Sequence, residues 1–361
     1  MGLVVLSFFA ILLAKRIKNY PRRFVLWVFF SFCIVFIFSL ILNWYLEYVY
    51  RWENGVPGAD LTAFFNVAHA ISKGTPISEL YLIDWRFQHS LTNIGYYLYA
   101  YFLSLVSFLP VFVNYRWSLQ IMYIIQIIVA IISALNISEF AATHPKGVLP
   151  TFFIVTVCAA IMQSSSVLMR DIWIVFFTSM LMYYLERNSR VPALICIIIT
   201  TLLRLYTLII TLPLFLYYGV KKEKIAVIVS LTIFSIFIVG QSVIQLLATY
   251  LKVRWAFHYT FDVEEMVRYI LFPNIVNQTY NVWHLKMTYH AIHGGNTEWI
   301  YYLQSVWNLF VFPLSIYGVI KLIRERRYSS TILFGMIFVN VAMTYSLFYG
   351  NVSEPRHKLL I

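Results

Sequence analysis

Apolar residues run through this chain in blocks far longer than strand alternation or an amphipathic stripe produces. The clearest are Phe24–Tyr45, Ser118–Phe140, Val148–Met169, Ile172–Leu185, Pro192–Tyr218, Ile225–Leu251, Trp299–Ile323 and Ser330–Tyr349. Blocks of 18 or more residues recur, and that length crosses a hydrocarbon core of roughly 30 Å as a helix. In lipid the backbone must satisfy its own hydrogen bonds, which leaves helices or closed barrels. Barrel strands alternate over about 10 residues, and these blocks are uniformly apolar. The pattern predicts an all-α, polytopic transmembrane protein.

Composition agrees. Of the 361 residues 61% are hydrophobic and 12% charged, with a mean hydropathy of +0.76. A soluble domain carries about 25% charge. A net charge of +12 would suggest nucleic acid in a soluble protein. Here the basic residues sit between apolar blocks, as in cytoplasmic loops, so no nucleic-acid partner is expected. Cys33, Cys158 and Cys196 lie inside apolar blocks, far apart, and read as small buried hydrophobes. Met1 to Ala14 is apolar but has no basic leader, so it is not expected to be a cleaved signal.

The basic clusters fix a topology. Lys15-Arg16-Ile17-Lys18 with Arg22-Arg23, His144-Pro145-Lys146, Arg187 with Arg190, Lys221-Lys222-Glu223-Lys224 and Arg324-Glu325-Arg326-Arg327 all go inside. Residues 47–117, the Arg170-Asp171 turn, 252–298 and the tail Glu354-Pro355-Arg356-His357-Lys358 then face outward. Two consequences follow. Pro192–Tyr218 must form two short spans or an in-and-out hairpin, broken near Arg204 and Pro213. Ile94–Val113, rich in tyrosine, must lie in the outer interface or re-enter. The count becomes about nine or ten spans in a single membrane domain, 1–361, with outer loops 47–117 and 252–298.

Chemistry-bearing residues gather on the outer side. Asp60 heads a loop segment, Gly58-Ala59-Asp60-Leu61-Thr62-Ala63-Phe64-Phe65, behind Pro57. It either caps a loop helix or serves as a base. Arg170-Asp171 opens an apolar helix, where an acid in the first turn suits the dipole. Arg204 stands inside an apolar block at a cost of roughly 2.5–3.5 kcal/mol on insertion scales, which marks it as a functional candidate. Its other readings are a snorkelling cation or a structural pair with Asp171. His284, His290 and His293 lack acidic ligands at short spacing and read as loop histidines, so no metal site is assigned. No P-loop, GxGxxG or GxSxG is present. Asn136-Ile-Ser, Asn277-Gln-Thr and Asn351-Val-Ser match the glycosylation sequon.

Four stretches together resemble the GT-C superfamily of integral-membrane glycosyltransferases. They are Gly58-Ala59-Asp60 followed by Phe64, Ala68, Ala70 and Gly74; Ser165–Asp171 with its apolar helix; Leu202-Leu203-Arg204-Leu205-Tyr206 with Pro213; and Glu354-Pro355-Arg356-His357-Lys358. Two departures stand out: Asp60 has no adjacent acid, and the chain stops at Ile361 where the family continues into another span. The resemblance implies interfacial helices in the first outer loop and a site facing outward from the cell's inner or plasma membrane. It implies Asp60 as base, with Asp171 orienting Arg170 or assisting the acceptor. Arg170, Arg204, Arg356 and His357 would hold the donor phosphate. The implied donor is a polyprenyl-phosphate-linked sugar, the acceptor a glycan, lipid or protein, and the outcome inversion; a divalent cation stays open. A polymerase of lipid-linked polysaccharide repeat units fits the same tools. A transporter or lipid flippase predicts broken helices in both halves near the midplane.

Overall fold

In the computed structural model every regular element among the described residues is a helix. Those residues are 2–50, 59–84, 87, 94–107, 115–141, 145–166, 170–239, 313–314 and 316–349. They fall into two compact units divided between Tyr183 and Tyr184.

The first unit holds α1 (Gly2–Ile17), α2 (Arg22–Tyr50), α3 (Ala59–Ser72), the short α4 (Leu80–Ile83), α5 (Ile94–Ser107), α6 (Tyr115–Ala141), α7 (Pro145–Thr156) and α8 (Ala159–Ser166). It also holds α9 (Asp171–Glu186) through Tyr183. Among the described residues two helices are long and apolar enough to cross a membrane, Arg22–Asn43 within α2 and Gln120–Ala141 within α6. At 22 residues each they rise about 33 Å. α6 is the enclosed centre; Ile125, Ile127, Ile131, Ile132, Ala134 and Leu135 are fully buried. α2 is its opposite, with Leu26 67% and Phe29 65% exposed.

α1 and α6 run in the same direction. A Cβ on Gly2 would lie 2.7 Å from the Val106 carbonyl oxygen and 3.3 Å from Ile121, so glycine lets α1 start close against α5 and α6. Fourteen residues on, Arg16 donates to Asn136 Oδ1 at 2.7 Å and forms an ion pair with Glu139 at 2.5 Å. Phe9 packs edge-on to Trp173 and Phe176 of α9. The apolar stretch 1–14 is thus a packed element of the bundle. Asn136 is buried and its amide also donates to Ser179. That leaves no room for a glycan, so the sequon there is a structural asparagine. The sequons at Asn277 and Asn351 lie outside the described residues.

The apolar block 148–169 does not form one helix. α7 ends at Thr156, and α8 begins at Ala159. The Thr156 hydroxyl donates back to the Phe152 carbonyl at 2.8 Å, a bond that bends helices. The β-branched run Ile154-Val155-Thr156-Val157 weakens helix propensity at the same point.

The second unit holds α10 (Arg190–Leu203), a 3-10 turn (Leu205–Thr207), α11 (Leu208–Leu214) continuing into a π turn (Phe215–Gly219), α12 (Glu223–Val239), a helical stretch at 316–324 and α13 (Tyr328–Tyr349). The expected break near Arg204 is present. Arg204 is extended at φ −151°, ψ 113°, between α10 and the 3-10 turn. The chain then comes back, since a Cβ on Gly219 would lie 2.9 Å from the Leu185 side chain at the foot of α10. Each arm of 14–15 residues rises about 21 Å, short of the roughly 30 Å core. Asn340 donates to the Ser230 carbonyl at 2.9 Å and binds α13 to α12. Left-handed backbone at Asn188, Lys221 and Arg326 turns the chain inside three basic clusters. At Asn188 and Arg326 the amide bonds close Schellman caps, Ser189 to the Tyr184 carbonyl and Arg327 to the Leu322 carbonyl.

Candidate functional site

The segment after α2 folds as a helix pair, α3 against α5. In α3 the residues Ala63, Phe64, Phe65, Val67 and Ala68 are buried, and the two alanines let α5 lie close. Asp60 is the second residue of α3, one turn before Phe64. The helix stops at Gly74, whose φ of +85° needs glycine. The Thr75 amide reaches back to the Ala70 carbonyl at 3.1 Å, as in a Schellman cap. The glycine that closes the first-loop pattern is therefore a helix stop.

Phe64 is the hub of an aromatic cluster. Its ring stacks on Tyr96 at 5.3 Å and meets Tyr99 edge-on at 4.8 Å, both in α5. Phe87 adds an edge to Tyr96 at 6.0 Å and to Tyr97 at 5.3 Å. The Tyr97 hydroxyl donates to the Phe87 carbonyl, which ties the loop to α5. His69, exposed on α3, has its imidazole held below the ordinary range by partial burial and by Lys73.

Arg170 and Asp171 arrive at this cluster from α9. Arg170 is the N-cap residue, its carbonyl accepting from Trp173 at 3.0 Å and Ile174 at 3.3 Å. Asp171 lies in the first turn, where the helix dipole favours a carboxylate. Both side chains are 7% exposed. The Arg170 guanidinium carbon sits 3.9 Å from the centre of the Tyr96 ring, a cation–π contact. Burial holds the Tyr99 phenol well above its ordinary range, with Tyr123 and the Asp171 carboxylate adding to it. A carboxylate, a guanidinium and the helix that carries Asp60 thus converge through Phe64, Tyr96 and Tyr99.

Arg204 belongs to the second unit. Its amide donates to the Thr200 carbonyl at 2.8 Å and its carbonyl accepts from the Thr207 hydroxyl at 2.8 Å. Its guanidinium donates to the Tyr206 hydroxyl and lies 5.4 Å from that ring. It sits at the tip of the α10–α11 hairpin. Arg356 and His357, like His284, His290 and His293, lie outside the described residues. Among the described residues no group of three or more His, Cys, Asp or Glu gathers.

Sequence reasoning missed a second polar cluster at the far end of the first unit. Arg16, 11% exposed, pairs with Glu139, 17% exposed. Tyr20 donates to the other Glu139 oxygen, and the Arg16 guanidinium lies 3.9 Å over the Tyr183 ring. The available signal was Glu139 as the one carboxylate in the block Ser118–Phe140, three residues from Asn136 and so on the same helix face. Comparison with known proteins finds no matching family model, no matching curated protein and no matching solved structure.

Proposed function

We propose that this chain is a multi-pass membrane glycosyltransferase of GT-C type, with about nine or ten spans. It moves a sugar from a polyprenyl-phosphate-linked donor to an acceptor on the outer face. The observation that carries the reading is the Tyr96 ring, which stacks on Phe64 and receives Arg170. Two of the short motifs behind the resemblance, more than 90 residues apart, therefore meet at one end of one unit. The opposite end carries Arg16 and the basic turn that leads into α2. A basic end inside and a site outside is the orientation that the loop charges favour. The exposed apolar face of α2 supports lipid contact, because a patch of that kind in water drives association.

The chemistry follows from the groups. A polyprenyl phosphate lies at headgroup level, where a guanidinium makes bidentate contacts to its oxygens. Asp60 accepts the acceptor hydroxyl's proton as that oxygen attacks the anomeric carbon. The bond to phosphate breaks, the phosphate departs with the electron pair, and one displacement inverts the centre. Arg170, Arg204, Arg356 and His357 are the candidate phosphate ligands, and Asp171 orients Arg170 or assists the acceptor.

The test is transfer by purified protein in lipid nanodiscs, offered polyprenyl-phosphate monosaccharides and diphosphate-linked oligosaccharides. Transfer from the monosaccharide phosphates is expected. Use of the diphosphate oligosaccharide alone makes the protein a polymerase, and no transfer from either sinks the enzyme reading. The breaks at Val157–Cys158 and at Arg204 are the feature a transporter shares. At the first, both amides keep partners, in the Phe153 and Val155 carbonyls.

The topology has its own consequence. If the arms of the α10–α11 hairpin enter and leave on one side, Asn188 and Lys221 share the cytoplasmic face. In a cysteine-free background, Asn188→Cys and Lys221→Cys are expected to react with an impermeant maleimide only from that face. Labelling from opposite faces would show a crossing instead.

A further inference from the structure

We propose that Tyr96 is a positioning residue, whose ring face aims the Arg170 guanidinium at the phosphate of a lipid-linked anion; this rests on the function proposed above. Arg170 is buried at a helix start, and a long cationic side chain has many rotamers to choose from. One of those is selected by the Tyr96 ring, 3.9 Å from the guanidinium carbon. That ring is itself fixed by two neighbours, Phe64 stacked at 5.3 Å with planes 21° apart and Phe87 edge-on at 6.0 Å. Phe64 is wholly enclosed, at 3% exposure, and Phe87 at 0%. The ring therefore has little freedom to follow Arg170. The cation must come to the ring.

A guanidinium held flat on a ring face keeps its in-plane N–H groups directed outward from its edge. A phosphate approaching that edge meets donors already oriented, so less rotamer freedom is lost per bond formed. The ring face adds its electron density to the contacts that hold the buried Arg170 cation. The same ring packs on α3 one turn beyond Asp60, so the helix that carries the proposed base meets the phosphate cation's ring contact directly.

The test uses the full-length protein in nanodiscs with polyprenyl monophosphate as probe, and polyprenol as the uncharged control. Tyr96→Leu removes the ring face, Tyr96→Phe keeps it, and Leu103→Ala weakens α5 away from Arg170, Leu103 being buried at 0% exposure. Tyr96→Leu is expected to weaken phosphate binding by about tenfold or more, the scale of a desolvated cation–π contact. Tyr96→Phe should stay within about twofold and Leu103→Ala should lower the melting temperature with binding retained. Arg170→Gln made in the Tyr96→Leu background should add little. Equal loss in the Phe and Leu variants, or loss that tracks melting temperature in all three, overturns the proposal. So does wild-type protein that prefers the phosphate no more than polyprenol. Binding with the expected pattern but no sugar transfer would leave the positioning role standing and remove the transferase reading. Transfer lost in Asp60→Asn with binding indifferent to Tyr96 and Arg170 would do the reverse.

Discussion

Asp60→Asn is expected to lower sugar transfer by roughly 10²–10⁴-fold, the usual contribution of a positioned acid or base, in protein that remains folded. Asparagine matches aspartate in shape but accepts no proton, so the acceptor hydroxyl would have to attack while still protonated. The structural cost is small by comparison. A charge lost in the first turn of a helix costs about 0.3–1 kcal/mol, and Asp60 is the second residue of a 14-residue helix that is also held by Phe64 and Phe65 in the core. Asp84→Asn, at a carboxylate just beyond α4, serves as the control and should transfer at near the wild-type rate. Asp171→Asn discriminates the two roles open to Asp171. If Asp171 only orients Arg170, its loss raises the KM for the donor more than it lowers kcat. Full transfer in Asp60→Asn with loss in Asp171→Asn would move the base to α9. Full transfer in both would end the carboxylate mechanism.

The helices of this protein were legible wherever a single physical rule governs them. Apolar length alone marks α2 and α6, and clustered charge marks the turns at Asn188, Lys221 and Arg326. The break at Arg204 was legible too, because a guanidinium and paired threonines interrupt an apolar block. The break at Val157–Cys158 was not. Neither glycine nor proline marks it, and what stands there is a threonine hydroxyl turned back on its own helix, within a β-branched run. The same limit holds at the site. Arg170 and Asp171 announce themselves as charges at the head of an apolar run, and Asp60 as a charge behind Pro57 and Gly58. Tyr96 does not, since it lies among other tyrosines and its partner is 74 positions away. A contact between distant residues leaves no period in a sequence, and a tyrosine at the membrane edge has an ordinary explanation in the aromatic belt. Arg16 and Glu139 were hidden for the same reason, with the arginine absorbed into a basic loop.

That hidden pair carries the largest expected effect on stability. Glu139→Ala leaves the Arg16 guanidinium mostly buried without its carboxylate, and strips the Tyr20 hydroxyl of its acceptor. Breaking one side of a buried pair costs about 3–5 kcal/mol, whereas replacing both partners with apolar groups of similar volume is often near neutral. Glu139→Ala should therefore be far less stable than wild type in detergent unfolding, and Arg16→Met with Glu139→Leu much closer to it. If Arg16→Met and Glu139→Leu, each made alone, simply add in the double variant, the pair has no coupling and the expectation fails. The consequence for activity should be small in the molecules that remain folded. Asn136 hands the same network to Ser179 of α9, nine residues and about 14 Å along the helix from Arg170. A helix is stiff over that distance, so loosening the Ser179 end changes how often the bundle opens more than where Arg170 sits when it is closed. Melting temperature should fall in Glu139→Ala while the donor KM of the folded fraction holds, the reverse of what Tyr96→Leu should do at the other end of the same unit.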